Sequence, residues 1–327
     1  MFSFGKSQIN KLLQKIPSLN VLVIGDCMLD HYIWGDVHRI SPEAPVPVVN
    51  IDKDTYRLGG ACNVALNLSQ LGCRVTLVGP MGVDEPGSTM QGLLKAASIS
   101  IDSSNFRKDV SSIVKTRVVV RNQQLCRLDR ERFFSANQVE YIQIFLKENI
   151  NHFDAVIVSD YNKGTISQGL INYLVELKKL HKFFLSVDPK PSHGLNYSGV
   201  DLLKPNRSEA LQMSGFSLLP HQCFPLQEVA EKILSQQSAK YLAITLGNEG
   251  IAIMDSKSKG QIFPTQTKEV FDVSGAGDTA LVALTLAFCL NTSLEEAAIF
   301  ANIASGVVVG KLGTASVTPQ ELLDYVQ

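Results

Sequence analysis

The sequence predicts an α/β fold built on a mostly parallel sheet covered on both faces. Two observations carry this. Short apolar runs without polar alternation recur along the chain, as at residues 21–24, 155–158 and 241–246, and stretches with helical spacing lie between them. Strands buried on both faces read as continuous apolar runs, and helices alternating with them make parallel crossovers. A third observation adds a small second sheet. Residues 32–58 and 113–131 are rich in β-formers and lack helical periodicity, and prolines stand at Pro42, Pro45 and Pro47. Segments of this kind suit a lid over a site, or an exposed edge that pairs with another subunit.

The elements follow in order. Ile9, Leu12, Leu13 and Ile16 are spaced for an amphipathic helix that ends at Pro17. The strand at 21–24 delivers Gly25, Asp26 and Asp30, and acids just past a central strand lie where open α/β sheets bind ligands. Either acid can equally serve a turn. Gly59 and Gly60 precede a helix carrying Asn63, then a strand at 75–78. The glycine pair allows close backbone approach by a polar ligand and Asn63 offers donors and acceptors to hydroxyl groups, or the segment is a plain helix entry. Helices follow at 90–97 and 138–148, a strand at 155–158 into SDYNKG, a helix at 167–180, and a strand at 184–187 into DPK. Asn206 and Glu209, three apart after a strand, suit waters around Mg²⁺ and suit a capping box equally well. Gly247 and Gly250 in TLGNEG either bring amides to a phosphate or turn the chain into a strand at 251–254. Ser293 with Glu296 starts a helix containing Asn302, and Thr318, Pro319 and Glu321 start the last helix.

Composition narrows the function. The 327 residues are 45% hydrophobic and 19% charged with a net charge of −1, which excludes a disordered or polyelectrolyte chain and argues against nucleic acid as a partner. The six cysteines are scattered without a CxxC pair, as buried thiols in a reducing cytoplasm would be, and no Cys/His metal cluster is visible. The apolar run near 280–290 is too short to span a bilayer and no signal-peptide core is present, so the expectation is a soluble cytoplasmic protein without a membrane partner.

The chemistry concentrates in DVSGAGDTALVALTLAFCL, residues 272–290. Three small residues (Gly275, Ala276, Gly277) are followed by Asp278 and an apolar helix. Amides at such a turn converge on one spot and, with the helix dipole, form an anion site. A carboxylate there suits a general base beside a phosphoryl group in transfer, with a plain helix cap as the alternative. The dipole is expected to hold the Asp278 pKa low.

Two distant signatures, LGGACNVALNLSQLG (58–72) and DVSGAGDTALVA (272–283), resemble the ribokinase-like sugar kinases of the phosphofructokinase B type, and the resemblance covers nearly the whole chain. Within that family, the strings at 25–49, 122–131, 159–164 and 306–322 are similar to kinases of D-glycero-β-D-manno-heptose 7-phosphate. The resemblance implies a three-layer α/β/α body and a small β-lid that often clasps a homodimer. It implies ATP and Mg²⁺ as cosubstrate and cofactor, and phosphorylation of O1 of the heptose phosphate on the route to ADP-heptose and lipopolysaccharide. Asp278 is then the base, and the amides of Gly275, Ala276 and Gly277 form the anion hole. Asp30, Gly59, Gly60 and Asn63, with Asp26, hold the sugar. Asn206 and Glu209 serve Mg²⁺ and phosphate, and Thr245, Gly247, Gly250 and Asn302 lie along ATP. Asp272 and Ser274 match positions that hold a monovalent cation such as K⁺ in some members; whether this chain uses one is open.

A substrate that already carries a phosphate needs cations at its far end. Arg117, Arg121, Arg127 and Lys163 are the candidates, Arg121 and Lys163 first, and Glu131 is counted with the substrate-binding residues. Many proteins of this type carry a C-terminal nucleotidyltransferase domain with an HxGH motif. None occurs here, so a single kinase domain over 1–327 is expected. Two rivals remain: a kinase for another sugar on the same scaffold, and a non-catalytic sugar-phosphate sensor.

Overall fold

The computed structural model describes residues 5–121, 123–219, 222–257, 260–265 and 271–326. Helix α1 (Lys6–Lys15) buries Ile9, Leu12 and Leu13 and passes through a 3₁₀ turn at Pro17, as its periodicity predicts. The chain continues as β1 (Asn20–Gly25), β2 (Cys27–Ile40), β3 (Pro47–Gly60), α2 (Ala61–Gln70), β4 (Arg74–Val78), β5 (Met81–Gly82), α3 (Glu85–Ala96), β6 (Ser100–Ile101), β7 (Phe106–Arg107), β8 (Ile113–Val120) and β9 (Gln123–Arg130). Next come α4 (Ala136–Val139), α5 (Tyr141–Asn149), β10 (Ala155–Ser159), α6 (Gln168–Leu180), β11 (Phe184–Asp188), β12 (Leu202–Leu203), α7 (Arg207–Ser214) and α8 (Leu226–Gln237). The last part holds β13 (Tyr241–Thr245), β14 (Ile251–Asp255), β15 (Gln261–Phe263), α9 (Ala276–Cys289), α10 (Leu294–Val309) and α11 (Pro319–Tyr325).

Among the described residues the main sheet has nine strands in the order β15-β14-β13-β12-β11-β10-β1-β4-β6. It is parallel from β6 to β13 and antiparallel at the β14 and β15 edge. Alternate residues of one strand serve two cores. Val21 and Val23 pack with α1, α2, α9 and α10, while Leu22 and Ile24 pack with α5, α6 and α8. That two-sided burial is why β1 shows no polar alternation. Each such side chain contributes about 1.5–3 kcal/mol relative to exposure. Helix α1 lies against α11, so the two ends of the described chain meet on one helical layer. Among the described residues no helix is long and apolar enough to cross a membrane.

A separate sheet with the order β3-β2-β8-β9 forms the lid. It begins earlier than residue 32, because β2 leaves the main sheet at Cys27, one residue after Asp26. Asp30 is therefore a lid-strand residue, paired in register with Arg57 and Lys115. Helix α3 also starts before residue 90, because Asp84 Oδ1 accepts the Gly87 amide at 2.9 Å and caps it there. Asn122, the first residue of the 122–131 string, lies outside the described residues.

Candidate active site

The C-terminal ends of β10, β11 and β12 and the start of α9 enclose a cleft of about 210 Å³. Asp160 and Tyr161 follow β10, Asp188 ends β11, Lys204 follows β12, and Gly275, Gly277 and Asp278 come from α9 and its cap; all line it. Gly275 caps the helix at φ +83°, a left-handed conformation that suits glycine, and a Cβ there would lie 3.0 Å from Asn63 Nδ2. A Cβ on Gly277 would stand 3.7 Å from Lys204 Nζ, so the ammonium lies directly over the glycine.

Asp278 is only 5% exposed, and both its oxygens are engaged. Asn63 Nδ2 donates to Oδ2 at 2.7 Å and the Tyr161 hydroxyl donates to Oδ1 at 2.9 Å. Behind them Asn67 Nδ2 donates to the Asn63 carbonyl, and the Thr279 hydroxyl donates to Asn67 Oδ1. Burial raises the Asp278 carboxyl above its ordinary range, against the two hydrogen bonds and the Lys204 charge, which lower it, and Asp30 adds a further upward push. This corrects the expectation of a low value, since desolvation of the nearly enclosed carboxyl itself is the largest effect and outweighs what lowers it. Lys204, 2% exposed, pairs with Asp188 at 3.0 Å. Burial still pushes Asp188 up to about 7, and Asp160 likewise to about 7.

On the lid, Asp30 is 3% exposed and close enough to Asp278 to act on its carboxyl. Arg117 Nη1 donates to Asp30 Oδ1 at 2.6 Å and Thr314 Oγ1 to Asp30 Oδ2 at 3.1 Å. A Cβ on Gly59 would come within 2.8 Å of Oδ2, so glycine is required for the carboxylate to sit there. The 312–314 loop ties lid to catalytic turn: Arg57 donates to the Leu312 and Thr314 carbonyls, and the Gly313 amide donates to Asp272 Oδ2 at 2.9 Å. Asp272 Oδ1 accepts the Ser274 amide at 2.8 Å. These bonds hold Asp272 below the usual carboxylate range although burial opposes them.

Several expected contacts are placed differently. Asp26 has no exposure and accepts the amides of Tyr161, Lys163 and Thr165, so it shapes a loop and cannot reach a sugar. Gly60, at φ +55°, leaves room for the Asp26 carbonyl. Asn63 has no exposure and holds Asp278. The Ala276 amide donates to the Val273 carbonyl at 3.2 Å, which leaves Gly275 and Gly277 of the three-amide set lining the cleft. Asn206 and Glu209 do line the cleft, yet they form the capping box reciprocally at 2.9 Å, and Lys190 pairs with Glu209. Thr245 lines the cleft too. Gly247 faces open space, whereas a Cβ on Gly250 would collide with the Phe263 carbonyl, so Gly250 serves the turn. Asn302 donates to the Phe263 carbonyl at 2.7 Å and braces β15.

Among the cations, Arg117 is the one at Asp30. Arg121 lies at the far tip of the lid in an exposed pair with Asp36, because β8 carries it away from the cleft. Lys163 and Lys115 share Glu131 at 2.6 and 3.0 Å, and Arg127 pairs with Asp129 along its own strand. Sequence reasoning missed Tyr161, Asp188 and Lys204. Asp188 and Lys204 directly follow an apolar strand run, the same kind of signal that singled out Asp26, and Tyr161 stands two residues past the end of β10.

Comparison with known proteins agrees with this architecture. The family described as pfkB family carbohydrate kinase matches residues 18–321. Relatives named bifunctional protein HldE include one from Sulfurimonas denitrificans, 41% identical over 93% of this chain and 64% of that protein. Another, from Trichlorobacter lovleyi, is 40% identical over 98% of this chain and 65% of its own length. The chain thus spans about two thirds of the length of such relatives. Phosphofructokinase-2 from Escherichia coli, solved with substrates and products, superposes with a TM-score of 0.78 at 20% identity over 94% of this chain and 99% of that one. Ribokinase from Thermotoga maritima does so with a TM-score of 0.70 at 21% identity, again over 94% and 99%. At those identities the likeness is one of fold. The family match over nearly the whole length, with an acid at the first turn of a helix over a glycine-lined cleft, shows that the chain belongs to the pfkB family of carbohydrate kinases and is an ATP-dependent sugar kinase.

Proposed function

We propose that the chain transfers the γ-phosphoryl group of ATP to O1 of D-glycero-β-D-manno-heptose 7-phosphate, giving heptose 1,7-bisphosphate and ADP on the route to ADP-heptose. The observation that carries the chemistry is the Asp278 carboxylate, oriented by Asn63 and Tyr161 at the edge of the cleft. The substrate rests on the likeness of the strings at 25–49, 122–131, 159–164 and 306–322 to kinases of that sugar phosphate, and on the relatives named HldE.

Asp278 accepts the O1 proton as O1 bonds to the phosphorus and the bond to the ADP oxygen breaks. Gly275 and Gly277 offer amides, and Lys204 a charge, to the oxygens that gather negative charge. Asp30 orients the sugar hydroxyls beside Gly59, and Arg117 stands at the lid side, where the far phosphate of the sugar would lie. Thr245 and Gly247 flank the nucleotide. Mg²⁺ would supply charge neutralisation on the phosphate oxygens, and the side-chain oxygens of Asn206 and Glu209 suit that hard cation through water. We place K⁺ at Asp272 and Ser274 by family resemblance. The outer face of the lid carries an apolar groove lined by Ile33, Val46, Val49, Ile51, Val118 and Leu125, which supports a lid-to-lid homodimer.

The test is coupled ADP release with MgATP and the heptose 7-phosphate, with fructose 6-phosphate, ribose and unphosphorylated heptose alongside. Turnover confined to the heptose phosphate, and lowered about 10²- to 10⁴-fold in Asp278→Asn, is the expected result. Turnover on another sugar alone discards the substrate, and an active Asp278→Asn discards the base.

A further inference from the structure

We propose that Tyr161 is a positioning residue that fixes the Asp278 carboxylate in its working orientation and keeps it ionised, and that buried Asp26 exists to hold Tyr161 there. The inference rests on the reading of Asp278 as the base.

A carboxylate only accepts, so the Tyr161 hydroxyl is the donor in its 2.9 Å contact with Oδ1, opposite the Asn63 amide on Oδ2. The two donors, from opposite oxygens, fix the carboxylate plane. They also answer a problem set by burial. A nearly enclosed carboxyl tends to keep its proton, and a protonated Asp278 cannot accept one from a sugar hydroxyl. Donors favour the charged form because hydrogen bonds to an ionised acceptor are the stronger ones. The other charged groups facing Asp278 are Lys204 after β12, which favours ionisation, and Asp30 on the lid and Asp188 at the end of β11, which oppose it.

The loop that presents Tyr161 is built for the purpose. Asp26 Oδ2 accepts the Tyr161 amide at 2.8 Å and the Lys163 amide at 3.2 Å, while Oδ1 accepts the Thr165 amide at 3.3 Å. A carboxylate with no exposure is costly unless hydrogen-bonded, and these three amides offset that cost while fixing the loop's path. Asn162 at φ +59° and Gly164 at φ +96° complete a tight turn, with the Asn162 amide bound to Asp160 Oδ1 at 2.8 Å. With the backbone of Tyr161 fixed at its own amide, only its two side-chain torsions remain to place the hydroxyl.

The experiment is the pH dependence of kcat/KM in Tyr161→Phe, which keeps the ring and removes the donor. The acidic limb is expected to move up by about one to two pH units, with kcat near neutrality lowered about 10-fold and the Kd for MgATP unchanged. A purely structural tyrosine would lower stability and leave the limb in place, and an unmoved limb in the folded Phe variant overturns the proposal. A fluorinated tyrosine at the same position, a stronger donor, is expected to move the limb down, which keeps the test intact if the Phe variant does not fold. Asp278→Asn, run in parallel, separates the two readings. If it is active the base assignment fails, and if it is inactive while the Tyr161 variants leave the limb unmoved, this inference alone fails.

Discussion

Arg117→Met tests how the lid contributes to the site. The guanidinium lies 2.6 Å from Asp30 Oδ1, with the two side chains 15% and 4% exposed. Removing one member of a buried pair leaves an uncompensated charge and costs about 3–5 kcal/mol. Thr314 still donates to Oδ2, so about 3 kcal/mol, the low end, is expected here. Asp30→Asn in the same chain should restore much of the loss, giving a coupling of about 2 kcal/mol or more in a double-mutant cycle read by urea unfolding. Kinetics then divide two roles. If the guanidinium holds the far phosphate of the sugar, KM rises about 10- to 100-fold for the phosphorylated sugar only, the worth of a charge-assisted hydrogen bond. If it serves only to orient Asp30, both sugars suffer alike. A stability loss below about 1 kcal/mol with an additive double mutant would refute the reasoning that this pair is buried and coupled. Arg121→Met, in an exposed pair at the lid tip, is the control and should stay within about 0.5 kcal/mol of the parent.

Two further outcomes follow from single residues. Gly275→Ala forces a Cβ onto a residue at φ +83° and to within 3.0 Å of Asn63 Nδ2; thermal unfolding should show a loss of about 1–2 kcal/mol, and kcat should fall at least about 10-fold as Asn63 shifts. Asp160→Asn tests the burial of acids at the strand ends. Its carboxyl is pushed up to about 7 in the folded chain from an ordinary 3.8, so between those values the native state holds a proton that the unfolded chain releases. Stability of the parent therefore falls as pH rises through that window, and the variant escapes the fall. Urea unfolding near pH 5 and near pH 8 should show the variant gaining about 2–4 kcal/mol on the parent between the two; an equal difference at both would dismiss the effect.

What was legible in the sequence was whatever is local along the chain. The Gly275–Asp278 turn, the cap at Thr318 and the two-sided burial of β1 are properties of a few consecutive residues, and each stands where its pattern put it. The Asn206 and Glu209 spacing admitted a cap, and the cap is what its hydrogen bonds form. What was not legible is who meets whom. Asp278 is held by residues 215 and 117 positions away, and no spacing rule relates Asn63, Tyr161 and Asp278 until β10, α2 and α9 are stacked. Asp26 shows the same limit from the other side. An acid after a central strand is the right place for a ligand contact, but whether it faces the cleft or the loop behind it depends on where residues 161–165 run. Arg121 shows it among the cations: it stands just past the end of β8, four residues beyond Arg117, and that step along the strand takes it from Asp30 to the exposed Asp36.

The contact of α1 with α11 has a consequence for chain connectivity. Where the first and last helices of a domain touch, a flexible linker can join them, and the order of elements is then a circle that can be opened elsewhere. Gly215, exposed where α7 ends, is a natural opening, at the opposite end of that helix from Asn206 and Glu209. In a chain permuted there the catalytic helix is made before the lid, so its folding during synthesis would reveal whether the glycine-capped turn can assemble before the sheet that closes over it.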